Sequence, residues 1–428
     1  MCGILGIYSN KYIYNSELIN LLKNLQHRGK DAYGISFLYK KKLFVNKFKG
    51  KVKNIKKKNE LLVYSCISQT KYTTSLKILN EKTIQPLISK NKFFSLVHNG
   101  NIPNLEIFDT QYLVNYIENS KYIYFEDKLI DLINNVNVAY SIIILTKNNN
   151  LYALRDRYGI RPLCIGYKNK KYIISSESFI FKNNEYIRDI KPGELVKINN
   201  NGIESLYIHP KSKIGICSLE LIYLMNEKSI TDNYSVYELR KKLSHKLAKK
   251  DIKNSKLDSH LNNNIVIGIP NTGIHYGKCY AQFLNLQYKQ YIKKNTHERT
   301  FIHNDKNKIK KKCNKKFNYS NYINGKNIII VDDSIVRGNV IKSIIQNLKR
   351  IGAKQIHIRI PSPPVIDTCE LGISIDNKKE LIMNGKNINE LNNELGCNTI
   401  KYLDLKDLTN IFPKNSYNKY FGGKNNYY

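Results

Sequence analysis

The tightest constraint on the fold is the run Ile-Ile-Ile-Val-Asp-Asp-Ser-Ile-Val-Arg-Gly at residues 328–338. Its four leading β-branched residues predict a short buried strand. Val340, Ile341, Ile344, Ile345 and Leu348 then recur at the helical period. The unit is strand, loop, helix, with two adjacent carboxylates where the strand ends. Open α/β sheets bind ligands at that position. Paired carboxylates suit a ribose diol or a metal-chelated sugar, and turn amides at a helix N-terminus suit a phosphate. Taken alone, the stretch is equally an ordinary buried strand ending in a solvated Asp-Asp turn.

Strand–helix alternation surrounds this unit from about residue 212 onward. Ser235 is placed to cap a helix reaching about Lys249, and a polar loop spans 250–264. A buried strand at 265–269 closes on Pro270-Asn271-Thr272-Gly273 and leads into a helix to about Leu284. Residues 293–318, dense in Lys, Asn and His, read as a mobile loop. A strand at 355–360, one helix at 388–395 and a polar tail complete this half. The first half has a different grammar. Ser16 is a candidate cap for a helix with Leu18, Ile19, Leu22 and Leu25 on one face. Strands are expected at 32–39, 42–48, 93–97, 140–146, 151–156, 163–167, 172–175 and 194–198, with an apolar run at 61–67 and helices at 109–117 and 128–133. His98-Asn99-Gly100-Asn101 reads as a turn. Sheets and helices here fall into separate layers.

Composition enters at two points. The formal net charge is +36, which could mark a nucleic-acid binder. The lysines are scattered rather than striped, however, and Asn, Ile and Tyr are abundant as well. That pattern fits an AT-rich coding sequence, so no nucleic-acid partner is expected. No apolar run has the length of a bilayer span, no signal-peptide pattern precedes the first strand, and no Cys-x-x-Cys occurs. The expectation is a cytoplasmic protein with no membrane partner.

Cys2 follows Met1 directly. Removal of Met1 would free a thiol and an α-amine on one residue. An α-amine with a pKa of about 7.7–8.0 can take the thiol proton near neutral pH. The polar groups that accompany it are Arg28 in Gln26-His27-Arg28-Gly29, Lys71 in Gln69-Thr70-Lys71-Tyr72, Asn99-Gly100 and Asp109. A side-chain amide beside a flexible backbone N–H is what an oxyanion hole requires. Each group alone is surface polarity or turn chemistry, whereas together they can hold an amino acid.

These residues carry a resemblance over nearly the whole chain. Cys2-Gly3-Ile4-Leu5-Gly6, residues 26–29 and 98–101, Arg155 to Leu163, Ser175-Ser176-Glu177-Ser178 and Lys191-Pro192-Gly193-Glu194 resemble the glutaminase domain of the N-terminal-nucleophile (Ntn hydrolase) class. Arg299-Thr300-Phe301-Ile302, residues 331–338 and Ser362-Pro363-Pro364 resemble a type I phosphoribosyltransferase. The two in this order resemble the amidophosphoribosyltransferase family. The resemblance implies a two-domain α+β and α/β protein. A four-layer αββα domain over 2–212 precedes a Rossmann-like parallel-sheet domain over 213–428 with a C-terminal tail. It implies glutamine hydrolysis and transfer of ammonia to 5-phosphoribosyl 1-pyrophosphate, the first committed step of de novo purine biosynthesis. Cys2 would be the nucleophile, and Asn99 and Gly100 would hold the oxyanion. Arg28, Lys71 and Asp109 would bind glutamine. Asn271, Thr272, Gly273, Lys294, Asp332, Asp333, Ser334, Ile335, Val336, Arg337 and Gly338 would bind the phosphoribosyl substrate, with Mg2+ at Thr272, Asp332 and Asp333. Purine nucleotides would be feedback inhibitors, and the assembly a homotetramer or dimer.

The sequence departs from the family pattern at several positions. Lys71 stands where the family has an Arg, and Asn271-Thr272 where Asp and Ser are usual. Members with an iron–sulfur cluster use four Cys. Cys217 and Cys369 fall at two of those positions, but Tyr417 and Tyr420 stand at the others, so no cluster is expected. The glutaminase halves of glucosamine-6-phosphate synthase and asparagine synthetase are also similar to the first half. Neither accounts for Asp332-Asp333, and a non-enzymatic regulator does not account for Cys2 with Asn99-Gly100.

Overall fold

The computed structural model describes residues 2–54, 61–73, 80–103, 105, 108–254, 264–295, 316–373, 375 and 377–424. The first half is a four-layer stack. A seven-stranded antiparallel sheet runs in the order Tyr186–Asp189, Cys164–Lys168, Lys171–Ser175, Gly3–Tyr8, Cys66–Lys71, Ala32–Tyr39, Lys42–Lys49. A six-stranded antiparallel sheet runs in the order Gly202–Ile208, Glu194–Asn199, Leu151–Arg155, Ala139–Thr146, Phe94–Asn101, Leu87–Ile88. Ile4, Ile67, Ile165 and Ile174 of the first sheet meet Val97, Ile143, Ala153 and Val196 of the second, forming a dry interlayer. The Asn15–Asn24 helix lays Leu18, Ile19 and Leu22 on the far face of the first sheet. The Asp109–Asn119 and Phe125–Asn135 helices cover the far face of the second with Leu113, Val114, Leu129 and Leu132. The order α, β, β, α matches the expectation.

The second half is built on a five-stranded parallel sheet in the order Gln287–Tyr288, Asn264–Gly268, Asn327–Val331, Gln355–Ile360, Thr399–Tyr402. Alternate residues of Asn327–Val331 face opposite sides, as the strand repeat requires. Ile329 and Val331 pack with Tyr276, Tyr280, Leu243 and Leu247 of the Gly273–Phe283 and Val236–Asn254 helices. Ile328 and Ile330 pack with Ile341, Ile344, Leu348 and Leu391 of the Asn339–Ile351 and Ile388–Leu395 helices. Helices on both faces explain why the strand sequence is apolar throughout. Ala139 and Ile160 of the first half share a core with Cys217, Cys369 and Tyr420 of the second.

Several local expectations are corrected. His98-Asn99-Gly100-Asn101 is not a turn. It finishes the Phe94–Asn101 strand, paired residue by residue with Ala139–Thr146 as far as Asn101 opposite Ala139. A Cβ on Gly100 would come within 2.2 Å of the Ala139 carbonyl oxygen, so glycine serves close approach here rather than reversal. Ser16 is not a cap; the first helix begins at Asn15 after Tyr14, with no side-chain cap, and ends at Asn24. The apolar run at 61–67 divides into Leu62–Val63 and the start of Cys66–Lys71. Strands at Tyr186–Asp189 and Gly202–Ile208 and a further helix at Leu405–Ile411 were not anticipated. The helix after Ser235 continues to Asn254, into the start of the segment read as a loop, whose residues 255–263 lie outside the described residues; Asp251 is a buried anchor there. Its carboxylate accepts from Arg359, Tyr280 and Lys401. Within the segment read as a mobile loop, Ile292–Lys294 and Phe317–Tyr319 pair as an antiparallel ribbon. Residues 296–315, Arg299 among them, lie outside the described residues.

Candidate functional site

Cys2 sits at the start of the central Gly3–Tyr8 strand, and its main chain is held at both ends. Its nitrogen donates to Asn99 Oδ1 at 3.2 Å, and its carbonyl accepts from Arg28 Nε at 3.0 Å. Asn99 is fully buried. Its Nδ2 has no hydrogen-bond partner among the described residues, an orphaned donor of the kind that marks a ligand position. Gly100 follows it on the strand, and Asn101 Nδ2 donates to Glu370 O at 2.8 Å, so a loop of the second half seats against this end.

Around this point Lys71 Nζ donates to Thr83 O at 2.7 Å and lies 4.6 Å from the Phe108 ring centroid. Asp109 begins the helix beside it. One carboxylate oxygen accepts from Thr110 N at 2.8 Å, and the other is 3.8 Å from His98 Nδ1. Burial is the main cause that lowers the His98 pKa, with Asp109 opposing and Arg161 and Lys71 adding. Burial thus favours the neutral form of the His98 ring. Arg28, expected to bind glutamine, is engaged by protein groups in this structure. It is 2% exposed, and its donors are taken by Cys2 O, Glu177 Oε1 at 2.7 Å and both oxygens of Glu220 at 2.8 and 3.0 Å. Its guanidinium is held inside the protein by these partners.

The second cluster forms where the parallel strands end. Asp332 N donates to Arg359 O at 3.3 Å, Asp333 N to Asp332 Oδ1 at 3.0 Å, and Ser334 Oγ to Asp333 Oδ2 at 2.7 Å. Burial is the first cause that raises both carboxyl pKa values, and for Asp332 the neighbouring Asp333 adds to it. Among the described residues neither carboxylate has an ion-pair partner. The next loop approaches from the side: a Cβ on Gly273 would lie 2.6 Å from Val331 O and 3.2 Å from Asp332 Oδ1. Thr272 precedes the Gly273–Phe283 helix, and Asn271 is exposed. Gly338, at φ +75°, caps the Asn339–Ile351 helix. Ile335 is buried, so only its main chain faces the loop. Val336 O accepts from Ile382 N at 2.9 Å, and Arg337 Nε donates to Glu380 at 2.7 Å. Lys294 has a lowered pKa, first through burial and then through Lys30, Lys316 and Lys51. Lys30, Lys51 and Lys316, from both halves, thus make a cationic basin around Lys294, and Lys316 also acts on Asp332. Such a basin suits a polyanion.

Among the described residues no group of three or more His, Cys, Asp or Glu could hold a metal. Two adjacent carboxylates, with Thr272 preceding the glycine that approaches Asp332, do fit a magnesium ion that keeps most of its shell as water and substrate oxygen. An iron–sulfur cluster does not fit. Cys217 Sγ lies 3.3 Å from Tyr420 Oη, and Tyr417 bridges Cys217 through the main chain. Burial raises the Cys369 pKa to about 11 and Tyr420 well above its ordinary value. Two phenols and two thiols cannot supply the four thiolates such a cluster uses.

The two clusters adjoin. Tyr223, in the π-helical turn Glu220–Leu224, has its pKa raised by burial and then by Asp333, Tyr72 and Asp332. Sequence reasoning missed Tyr223 and Glu220, because Leu219 to Leu224 reads simply as an apolar run.

A family model described as a glutamine amidotransferase domain matches residues 73–183. An amidophosphoribosyltransferase of Bacillus subtilis is 29% identical, covering 95% of this chain and 88% of its own. A chloroplastic amidophosphoribosyltransferase of Vigna aconitifolia is 30% identical, covering 97% of this chain and 89% of its own. The chain belongs to the amidophosphoribosyltransferase family. The solved glutamine phosphoribosylpyrophosphate amidotransferase of Bacillus subtilis, complexed with ADP and GMP, superposes with a TM-score of 0.84 at 28% identity. The match covers 98% of this chain and 95% of that one. Amidophosphoribosyltransferase is a pentosyltransferase, and its reaction opens purine biosynthesis by moving the amide nitrogen of glutamine onto an activated ribose phosphate.

Proposed function

We propose that residues 2–212 hydrolyse glutamine and residues 213–428 pass the ammonia to 5-phosphoribosyl 1-pyrophosphate, with Mg2+. The observation that carries this reading is Cys2 tethered to Asn99 Oδ1 while Asn99 Nδ2 is buried without a partner beside it. With Met1 removed, the Cys2 amine accepts the thiol proton. The thiolate attacks the glutamine amide carbon, and the developing oxyanion takes hydrogen bonds from Asn99 Nδ2 and the Gly100 N–H. Collapse expels ammonia, and water cleaves the thioester to glutamate. Asp109 pairs with the substrate ammonium and Lys71 with its carboxylate, while Arg28 holds Cys2 in place.

At the second site Asp332 and Asp333 take the ribose hydroxyls. The loop from Ser334 to Gly338 takes the 5-phosphate through main-chain amides at a helix N-terminus. Asn271, Thr272, Gly273 and Lys294 face the diphosphate. Asp332, Asp333 and Thr272 would hold Mg2+, which when bound offsets the charge of the departing diphosphate. Tyr223 lies within electrostatic reach of Tyr72, Asp332 and Asp333, and the reading takes ammonia past these two tyrosines. The reading carries no iron–sulfur cluster. It includes a cytoplasmic homo-oligomer answering to purine nucleotides, in keeping with the ADP and GMP bound to the Bacillus subtilis relative. No described helix is long and apolar enough to cross a membrane.

Cys2→Ala tests the division. It is expected to lose glutamine-dependent synthesis and keep ammonia-dependent synthesis. Loss of both would refute it.

A further inference from the structure

Cys2 leads its strand, and the two clamps on its main chain are unequal. Asn99 is a fixed strand residue. Arg28 is a long side chain that holds the Cys2 carbonyl only if its own plane is held. That plane is set by two carboxylates. Glu177 Oε1 takes NH1 at 2.7 Å, and Glu220 takes NH2 through both oxygens at 2.8 and 3.0 Å. Glu177 comes from the glutaminase half, and it is also tied to His27, Asn226 N and Ser229 Oγ. Glu220 comes from the other half of the chain. It too is fully buried, and Arg161 NH1 lies 3.3 Å from it. The four buried side chains Arg28, Arg161, Glu177 and Glu220 balance in charge, so the cluster tolerates its own desolvation.

We infer that Glu220 is a positioning residue for the glutaminase nucleophile, acting through Arg28, so that the Cys2 site is complete only with a residue from the phosphoribosyltransferase half. Glu220 touches neither glutamine nor Cys2. It fixes the guanidinium whose Nε fixes the Cys2 carbonyl, and with it the line of approach of the thiol. A nucleophile displaced by a fraction of an ångström loses rate more than binding.

The inference rests on Cys2 being the nucleophile, and the experiment separates the two. Full-length Glu220→Gln, Glu220→Asp and Cys2→Ala are assayed for glutamine-dependent and ammonia-dependent synthesis. Glu220→Gln keeps the shape and one acceptor but breaks the bidentate charge pair. It is expected to lower kcat with glutamine by ten-fold or more, with the glutamine KM and the ammonia-dependent rate within about two-fold of the parent. Glu220→Asp restores the charge and is expected to recover part of the lost kcat. Equal loss of both activities, or a rise in KM at unchanged kcat, would overturn the inference. Parental behaviour of Glu220→Gln would overturn it as well. Glutamine-dependent activity surviving in Cys2→Ala would instead overturn the nucleophile assignment itself.

Discussion

Lys71 and Asp333 show how single residues set the working limits. Lys71 is a point charge already donating to Thr83 O, and a point charge lacks the fork that grips a carboxylate through two bonds. Lys71→Arg is therefore expected to lower the glutamine KM several-fold, with the ammonia-dependent rate unchanged. An unchanged or higher KM in steady-state assays would show that Lys71 does not meet the substrate. Asp333 illustrates the cost of keeping a site ready. Its carboxyl pKa is raised by burial, so the folded chain holds that proton more tightly than the unfolded one. The sign follows: the carboxyl's penalty is absent at acid pH and grows as pH rises above the unfolded value. Asp333→Asn retains an acceptor for Ser334 Oγ and removes the charge. It is expected to raise the melting temperature at pH 8 and not at about pH 3.5, below the unfolded carboxyl value, while abolishing ribosyl transfer. Thermal melts at the two pH values decide it; a destabilised variant at pH 8 would show that the charge is compensated.

At the scale of elements, the loop-to-helix joint at Gly338 is the most exacting piece. Its φ is +75°, and a Cβ there would meet Ile382 Cδ1 at 2.1 Å. Gly338→Ala is expected to cost about 1–3 kcal/mol and to raise the KM for phosphoribosyl pyrophosphate, because the first turn of the helix shifts. Calorimetry together with initial rates measures both. The joint was legible in the sequence because β-branched residues, an acidic pair, a glycine and a helical stripe occur in one short run. The Asn99-Gly100 element was legible as chemistry but not as structure. Asn-Gly signals a turn locally, and only the Ala139 carbonyl across the ladder shows that the glycine is there for clearance. Ser16 is not a cap because the strand pairing of Ile13–Tyr14 with Leu62–Val63 starts the helix two residues earlier. Glu220 was hidden because one charge in an apolar run acquires meaning only when Arg28 and Arg161 arrive from distant segments.

For the whole molecule, two folds share one core and one buried charge cluster. The Cys2 end of the antiparallel stack and the carboxyl ends of the parallel strands meet across Tyr72 and Tyr223. That adjacency makes sense of a fold in which one half generates a small, diffusible nucleophile and the other consumes it. It was foreseeable as a pairing of functions from Cys2 and Asp332-Asp333, although neither motif says where the other lies. The central claim is that these two sites work as one enzyme. The most direct measurement incubates the protein with glutamine, phosphoribosyl pyrophosphate and Mg2+ and follows glutamate and pyrophosphate together. Equal, mutually dependent release of the two is the expected result; glutamate without pyrophosphate, or neither product, would contradict the account.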